Sequence, residues 1–185
     1  SPGKKEYFDD RGDNMQKAFL RAPLDFAYIS SHFNPNRMHP VLHTIRAHNG
    51  VDYAAKRGSP VRATGDGTIS YMGQRGGCGK EILIKHSNEY STRYCHLEKF
   101  QKNIKKGSRV EQADVIGFVG STGLATGPHL HYEFKVGNKH TDPVKVKLPS
   151  AEPISQNLKT SFDTLVLENK LLLKEFTKLL PNENE

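Results

Sequence analysis

The sequence predicts a mainly β protein, an antiparallel sheet core followed by a C-terminal amphipathic helix. Three observations carry this. Between Pro23 and Leu148, Gly and Pro punctuate the chain about every 8–12 residues, the spacing of short strands joined by turns. Helix signals are nearly absent from the same region. After Pro149 the texture changes, and Leu158, Phe162, Leu165, Leu172, Phe176 and Leu179 recur at helical spacings with Lys and Glu between them.

Taken in order, residues 1–22 are polar and mixed, ending in Ala18-Phe19-Leu20 before Pro23, and are expected to form a lead-in segment packed only locally. The start Ser1-Pro2-Gly3 has the character of a mature or truncated end, with any export signal upstream. Strand-like stretches follow at Pro60–Ala63, Gly67–Met72, Glu81–His86, Ser91–His96, Val115–Val119 and His129–Phe134. The turn Ser87-Asn88-Glu89-Tyr90 between two of them predicts an antiparallel hairpin. Pro153 is placed to start the terminal helix and Pro181 to stop it. That helix reads either as a partner-binding element or as a cover over the β-domain that continues its surface. The organisation is thus 1–22 lead-in, 23–148 β-domain, 149–185 helical extension.

A chain of 185 residues holds one ordinary domain plus an appendage, and 35% hydrophobic residues argue against wholesale disorder. No apolar run approaches the roughly 18 residues of a membrane helix. Charge counting gives 27 − 20 = +7. That excess favours a polyanionic neighbour such as nucleic acid, an anionic membrane or an acidic wall polymer, or is simply a solvated basic surface. The basic residues are scattered, with no Arg-rich helix and no aromatic RNA-binding signature, so no nucleic acid is expected. Cys78 and Cys95 cannot make a disulfide framework and lack metal-pair spacing. The nine histidines draw attention instead.

Three segments concentrate them. In His48-Asn49-Gly50-Val51-Asp52, residues i and i+4 lie on one side of a strand or a helix, so imidazole and carboxylate can converge. If the piece is extended, a glycine at position 50 leaves room for an ion to approach the backbone. An ordinary hydrogen-bonded pair is the alternative. In Gly127-Pro128-His129-Leu130-His131, both imidazoles share one strand face and Leu130 points away. In Tyr94-Cys95-His96-Leu97, His96 shares a face with Tyr94 and Thr92. Two histidines and one aspartate complete a catalytic zinc shell that keeps one position open for water, whose pKa then falls to roughly 7. One histidine of the pair, and His96, would stay uncoordinated, available to take a proton or to hydrogen-bond an oxyanion.

On these motifs the sequence resembles the lysostaphin-type, or LytM-like, family of zinc peptidoglycan endopeptidases. Gly58-Ser59-Pro60-Val61-Arg62-Ala63 and the stretch Ile116 to Pro128 add to the likeness, which covers about residues 23–148. The resemblance implies that His48, Asp52 and His131 bind one zinc ion per chain. It implies that His129 and His96 are catalytic, one as base and one as transition-state stabiliser. It also implies an antiparallel sheet core with a groove floored by the metal.

The stretches Lys17–Pro23 and Leu148–Pro153 resemble the Gram-negative murein DD-endopeptidase branch. That branch implies cleavage of the D-alanyl–diaminopimelate cross-link, an envelope-associated periplasmic location, and anchor or inhibitory regions upstream. The alternative within the same fold is a non-catalytic cell-wall-binding or amidase-activating module. Such relatives usually lack metal ligands, whereas this chain keeps all five relevant residues.

Two positions depart from the family pattern. Ala113 stands where a turn glycine is usual. Cys95 replaces a small residue, and is expected to be a buried thiol pointing away from His96 and not bridged to Cys78. Glu133 shares the strand face of His129 and His131 and either orients a ligand imidazole or is a plain surface carboxylate. His86 is expected to be a structural hydrogen-bonder. His32, His39, His43 and His140 show no convergent partner and read as loop residues. Arg37 and Arg46 lie near the metal motif and either pair with a substrate carboxylate or are exposed loop charges.

Overall fold

Residues 7–14, 17–25, 28–37, 47–86, 89–150 and 153–179 are described by a computed structural model. The strands are β1 (Tyr28–Ser31), β2 (Val51–Ala54), β3 (Pro60–Arg62), β4 (Gly67–Arg75), β5 (Gly79–Lys85) and β6 (Tyr90–Cys95), then β7 (Leu97–Phe100), β8 (Arg109–Val110), β9 (Val115–Val119), β10 (His129–Val136) and β11 (Lys139–Thr141). One helix, α1, spans Gln156–Leu179, three residues after Pro153 and two before Pro181. A 3₁₀ turn at Gly76–Cys78 joins β4 to β5.

All pairings are antiparallel. The larger sheet runs β1-β2-β10-β6-β5-β4-β8 with β11 on β10, and β3-β9-β7 form a smaller one. β5 and β6 form the hairpin that the turn at 87–90 predicts.

The two-residue period of a strand gives the larger sheet two unlike faces. On β10, Leu130, Tyr132 and Phe134 are buried to within 1% of full, and Val51 and Tyr53 of β2, Tyr94 of β6, and Ile82 and Ile84 of β5 are buried with them. The opposite register positions are mainly polar: Asp52 on β2, His129, His131, Glu133 and Lys135 on β10, Ser91 and Arg93 on β6, and Glu81 on β5, with Ala54, Leu83 and Cys95 between them. The buried side keeps its few polar atoms paired. The Tyr94 hydroxyl lies 3.0 Å from Thr64 Oγ1 and accepts the Thr64 N–H at 3.0 Å, and the Tyr132 hydroxyl meets the same Thr64 Oγ1 at 3.0 Å. Buried hydroxyls without partners would each cost about 1–3 kcal/mol, so this knot fixes the tyrosines' rings as well as satisfying them.

The chain divides into two compact units, Phe19–Lys147 and a unit of Ser1–Ala18 with Leu148–Glu185. The lead-in residues do not pack only locally, as the sequence suggested. Phe8 sets its ring 6.0 Å from that of Phe162, Asp10 takes the Lys170 ammonium at 2.6 Å, and Lys17 bridges Ser150. Phe19 belongs to the sheet unit and lies edge-on to His86 and Phe134 at 4.8 and 5.1 Å. Apolar spacing alone gave no sign of these partners, which lie 67–160 residues away in the chain.

Ala113 occupies the left-handed region with φ 73°, between an N–H that donates to Ala63 O and a carbonyl that accepts from Arg62. A side chain there costs about 1–2 kcal/mol, while glycine adds back-bone freedom to the unfolded chain worth somewhat less. Ala113→Gly is therefore expected to raise stability by about 0.5–1 kcal/mol, read as a higher denaturation midpoint at unchanged slope; a lower midpoint would contradict the strain.

Candidate metal centre

Three backbone pairings bring the donors together. His48 is held ahead of β2 by reciprocal bonds with Asn34, N–H to O at 2.8 Å and O from N–H at 3.0 Å. Asp52 on β2 lies directly opposite His131 on β10, and His131 in turn faces Cys95 on β6. Asp52 Oδ1 then lies 3.0 Å from His48 Nε2 and 2.7 Å from His131 Nδ1, and the two nitrogens are 3.2 Å apart. Gly50 is what lets the ring in. A Cβ there would lie 2.4 Å from Tyr132 O and 2.9 Å from the His131 imidazole. The glycine therefore clears space for a neighbouring ring and strand, rather than for an ion at the backbone.

The chemistry of the donors fits zinc. Tetrahedral bonds of 2.0–2.1 Å put ligand atoms about 3.3 Å apart, a few tenths of an ångström beyond the separations found here. The remaining ring nitrogens face acceptors: His48 Nδ1 donates to His32 O at 2.7 Å, and His131 Nε2 to Glu133 Oε1 at 3.2 Å. With a metal bound, each bond would keep the one remaining ring proton away from the centre and leave the inward nitrogen its lone pair. Glu133, open between two readings in the sequence, thus orients His131.

Charge follows from the same contacts. Burial pushes the His131 imidazole down, but hydrogen bonds to the Asp52 and Glu133 carboxylates outweigh it and raise it to about 9. Burial opposes ionisation of Glu133 too, yet His131 and the Arg93 charge bring it to about 2. Asp52 is likewise held well below the usual carboxylate range by both histidines despite burial. Without metal, the centre is an imidazolium clamped between two carboxylates.

His96 and His129 face each other beside it, ring centroids 4.6 Å apart. His96 Nδ1 donates to Thr122 O at 2.8 Å and His129 Nδ1 to Gly127 O at 2.9 Å, so Nε2 is the nitrogen of each ring that no backbone carbonyl holds. His129 Nε2 is 3.9 Å from Asp52 Oδ1. Burial, with His129 and His131 nearby, keeps the His96 pKa below that of a free imidazole, although Thr122 O works the other way. His96 itself has φ 60°, and its N–H donates to Cys78 O at 2.8 Å. The turn that carries Cys78 dovetails with the loop that carries Thr122. A Cβ on Gly79 would lie 2.3 Å from the Thr122 carbonyl carbon.

The cysteines correct the expectation of a free buried thiol. Cys78 and Cys95 form a disulfide, their Cα atoms 4.9 Å apart. The turn after β4 folds back over the end of β6, a proximity that a separation of 17 residues does not announce. The bridge removes both thiols as metal donors, so the second grouping of donor types, Cys78 with Glu81 and Cys95, offers only a carboxylate.

Other residues resolve as follows. His86 is structural: Nδ1 binds Asp66 O at 2.8 Å and Nε2 the Thr92 hydroxyl at 2.7 Å. His140 has a convergent partner after all, because the β10–β11 hairpin brings its Nε2 to 3.0 Å from Glu133 Oε2. His32 contributes its carbonyl, and Arg37 is exposed. His39, His43 and Arg46 lie outside the described residues. Sequence reasoning missed Glu81, which is fully buried and holds Arg75 at 2.7 Å and Arg93 through Nε at 2.7 Å. An acidic residue inside the apolar run Glu81–Ile84 was the available signal, since an unpaired buried carboxylate is unaffordable.

Two imidazoles and a carboxylate converging on one point, flanked by two further imidazoles on the polar face of an antiparallel sheet, define a metallopeptidase type of site. Residues 46–143 match the model of Peptidase family M23. The chain belongs to that family. It is 44% identical over 174 residues to the peptidoglycan DD-endopeptidase ShyC of Vibrio cholerae, covering 94% of this chain and 40% of that one. It is 46% identical over 159 residues to the DD-carboxypeptidase/endopeptidase Mpg of Neisseria meningitidis, covering 83% and 35%. A crystal structure of a zinc-containing peptidase from Vibrio cholerae superposes with TM-score 0.69 at 38% identity, over 78% of this chain and 47% of that one. The catalytic domain of lysostaphin from Staphylococcus simulans gives 0.55 at 30% identity, over 63% and 89%. The chain spans about two fifths of the length of the curated relatives it matches.

Proposed function

We propose that this chain is the catalytic part of a zinc-dependent endopeptidase that hydrolyses peptide cross-links in peptidoglycan, at the D-alanyl–diaminopimelate bond, in the bacterial periplasm. The observation that carries this reading is the convergence of His48, Asp52 and His131 with each outward ring nitrogen bonded to an oxygen. Relatives named as peptidoglycan DD-endopeptidases support the substrate class. Those three residues would hold zinc, which supplies a Lewis acid and a water acidic enough to ionise near neutral pH.

The chain's own residues do the rest. His96, neutral through burial and anchored at Nδ1, takes the proton of the attacking water at Nε2. His129 faces the same space and, as an imidazolium that draws its proton from solvent, donates from Nε2 to the oxygen that gains charge, while His96 passes the proton it took to the departing amine. Glu133 fixes the tautomer and the angle of His131.

The test is a digest of cross-linked Gram-negative peptidoglycan with and without chelator, read by mass spectrometry. Chelator-sensitive conversion of dimeric muropeptides to monomers with intact stems is the expected result. A zinc-loaded chain that leaves every dimer intact would overturn the assignment. With all five residues in place, nothing favours the non-catalytic binding module.

A further inference from the structure

We propose a second binding site on the face that carries the metal centre: a cationic cleft of Arg75, Arg93 and Lys135 that takes a free carboxylate of the peptide substrate. It rests on the function proposed above and extends it to substrate selection.

A cavity of about 100 Å³ opens over β4, β5, β6 and β10, lined by Arg75, Leu83, Ser91, Arg93 and Lys135. Sheet register relates it to the centre. His131, Glu133 and Lys135 follow one another along one face of β10, with Arg93 paired to Glu133 and Ser91 to Lys135. At about 3.4 Å per residue, Lys135 lies about 14 Å along the strand from His131, which an extended peptide spans with about four residues. A group bound in the cleft therefore belongs to the same substrate molecule as the bond at the centre.

The cations are pre-arranged. Glu81, fully buried, takes Arg75 at 2.7 Å and also pairs with Arg93, and Arg93 reaches Glu133 at 3.5 Å. Arg75 also lies over the Tyr71 ring at 4.6 Å, yet its side chain remains 54% exposed. Among the described residues Lys135 has no carboxylate partner. Three cations thus meet two carboxylates, and Glu133 is shared with His131 and His140 besides. The surplus is positive, and guanidinium groups already held in place present their remaining N–H donors without further ordering. The volume holds about three waters, enough for a carboxylate on a short arm and too little for a sugar ring. A stem peptide of the proposed substrate carries such groups, the second carboxylate of diaminopimelate among them.

The test uses the full chain and an uncross-linked muropeptide monomer in two forms, with the diaminopimelate carboxylate free or amidated, titrated by calorimetry. The wild-type chain is expected to bind the free acid about tenfold more tightly than the amide, the worth of one charge-assisted hydrogen bond. Lys135→Gln and Arg75→Gln should each bring that ratio towards one while zinc content stays at wild type. Thermal melting verifies folding, and the two variants lie on different strands, so one can fail to fold without losing the test. A wild-type ratio near one, or a ratio unmoved in both variants, would overturn the cleft. Because the monomer contains no cross-link, this outcome is independent of whether dimers are cut.

Discussion

His131→Ala is expected to abolish metal binding and hydrolysis together. His131 donates Nδ1 to the centre and carries the hydrogen bond to Glu133, so its loss removes a ligand and leaves two carboxylates facing each other without the cation between them. Loss of a mere ligand-orienting group costs about 10–100-fold in metal affinity, and loss of a ligand should exceed that. Activity should fall more than about a thousandfold, since water activation leaves with the metal.

The sign of the pH effect follows from the same residue. In the metal-free chain His131 is raised to about 9, so at pH 7 it holds a proton that must depart before Nδ1 can bind. Zinc binding should therefore release a proton, and apparent affinity should weaken about tenfold for each unit between pH 9 and pH 7. Calorimetry in buffers of unlike ionisation enthalpy measures that proton, and inductively coupled plasma analysis measures zinc in the variant. Wild-type zinc content in His131→Ala would remove the residue from the ligand set.

His96→Ala is expected to separate the two properties. The ring touches none of the three donors at hydrogen-bond distance, its anchor being the Thr122 carbonyl. The variant should keep zinc and its KM while kcat falls about 10²- to 10⁴-fold, the range for loss of a positioned proton acceptor. Because burial lowers the His96 pKa below the ordinary 6.5, the acid limb of the wild-type profile should lie below that value. Full activity in the variant would end the role assigned here.

The strands legible in the sequence were β4, β5, β6, β9 and β10, long enough to span one turn signal to the next, and the three-residue β3, marked by the Gly58 and Pro60 that precede and open it. Those that escaped, β1, β2, β7, β8 and β11, have two to four residues, too few to establish a period against loop background. Spacing paired His48 with Asp52 and His129 with His131 but left an ordinary hydrogen-bonded pair open; grouping His48, Asp52 and His131 as one ligand set came from the family resemblance, and the fold brings those three together. What remained hidden depends on which strand lies beside which. Glu81 meets Arg93 across β5 and β6, His140 meets Glu133 by way of the β10–β11 turn, and Cys95 meets Cys78 through a turn that folds back. None has a local signature, since each partner is chosen by sheet order and not by spacing.

That β2 and β10 meet with Asp52 opposite His131 gives the centre an arithmetic of its own. Odd and even positions on these strands face opposite ways. A slip of one residue would turn Tyr53 into the groove and send the donors towards the tyrosines. A slip of two restores the faces but parts Asp52 from His131 by about 6.8 Å along the strand, beyond the reach of one ion. Among neighbouring alignments, only the native one carries any chemistry. The site has no half-strength version for the backbone to drift into, and length changes are tolerable in the loops but not within these two short runs.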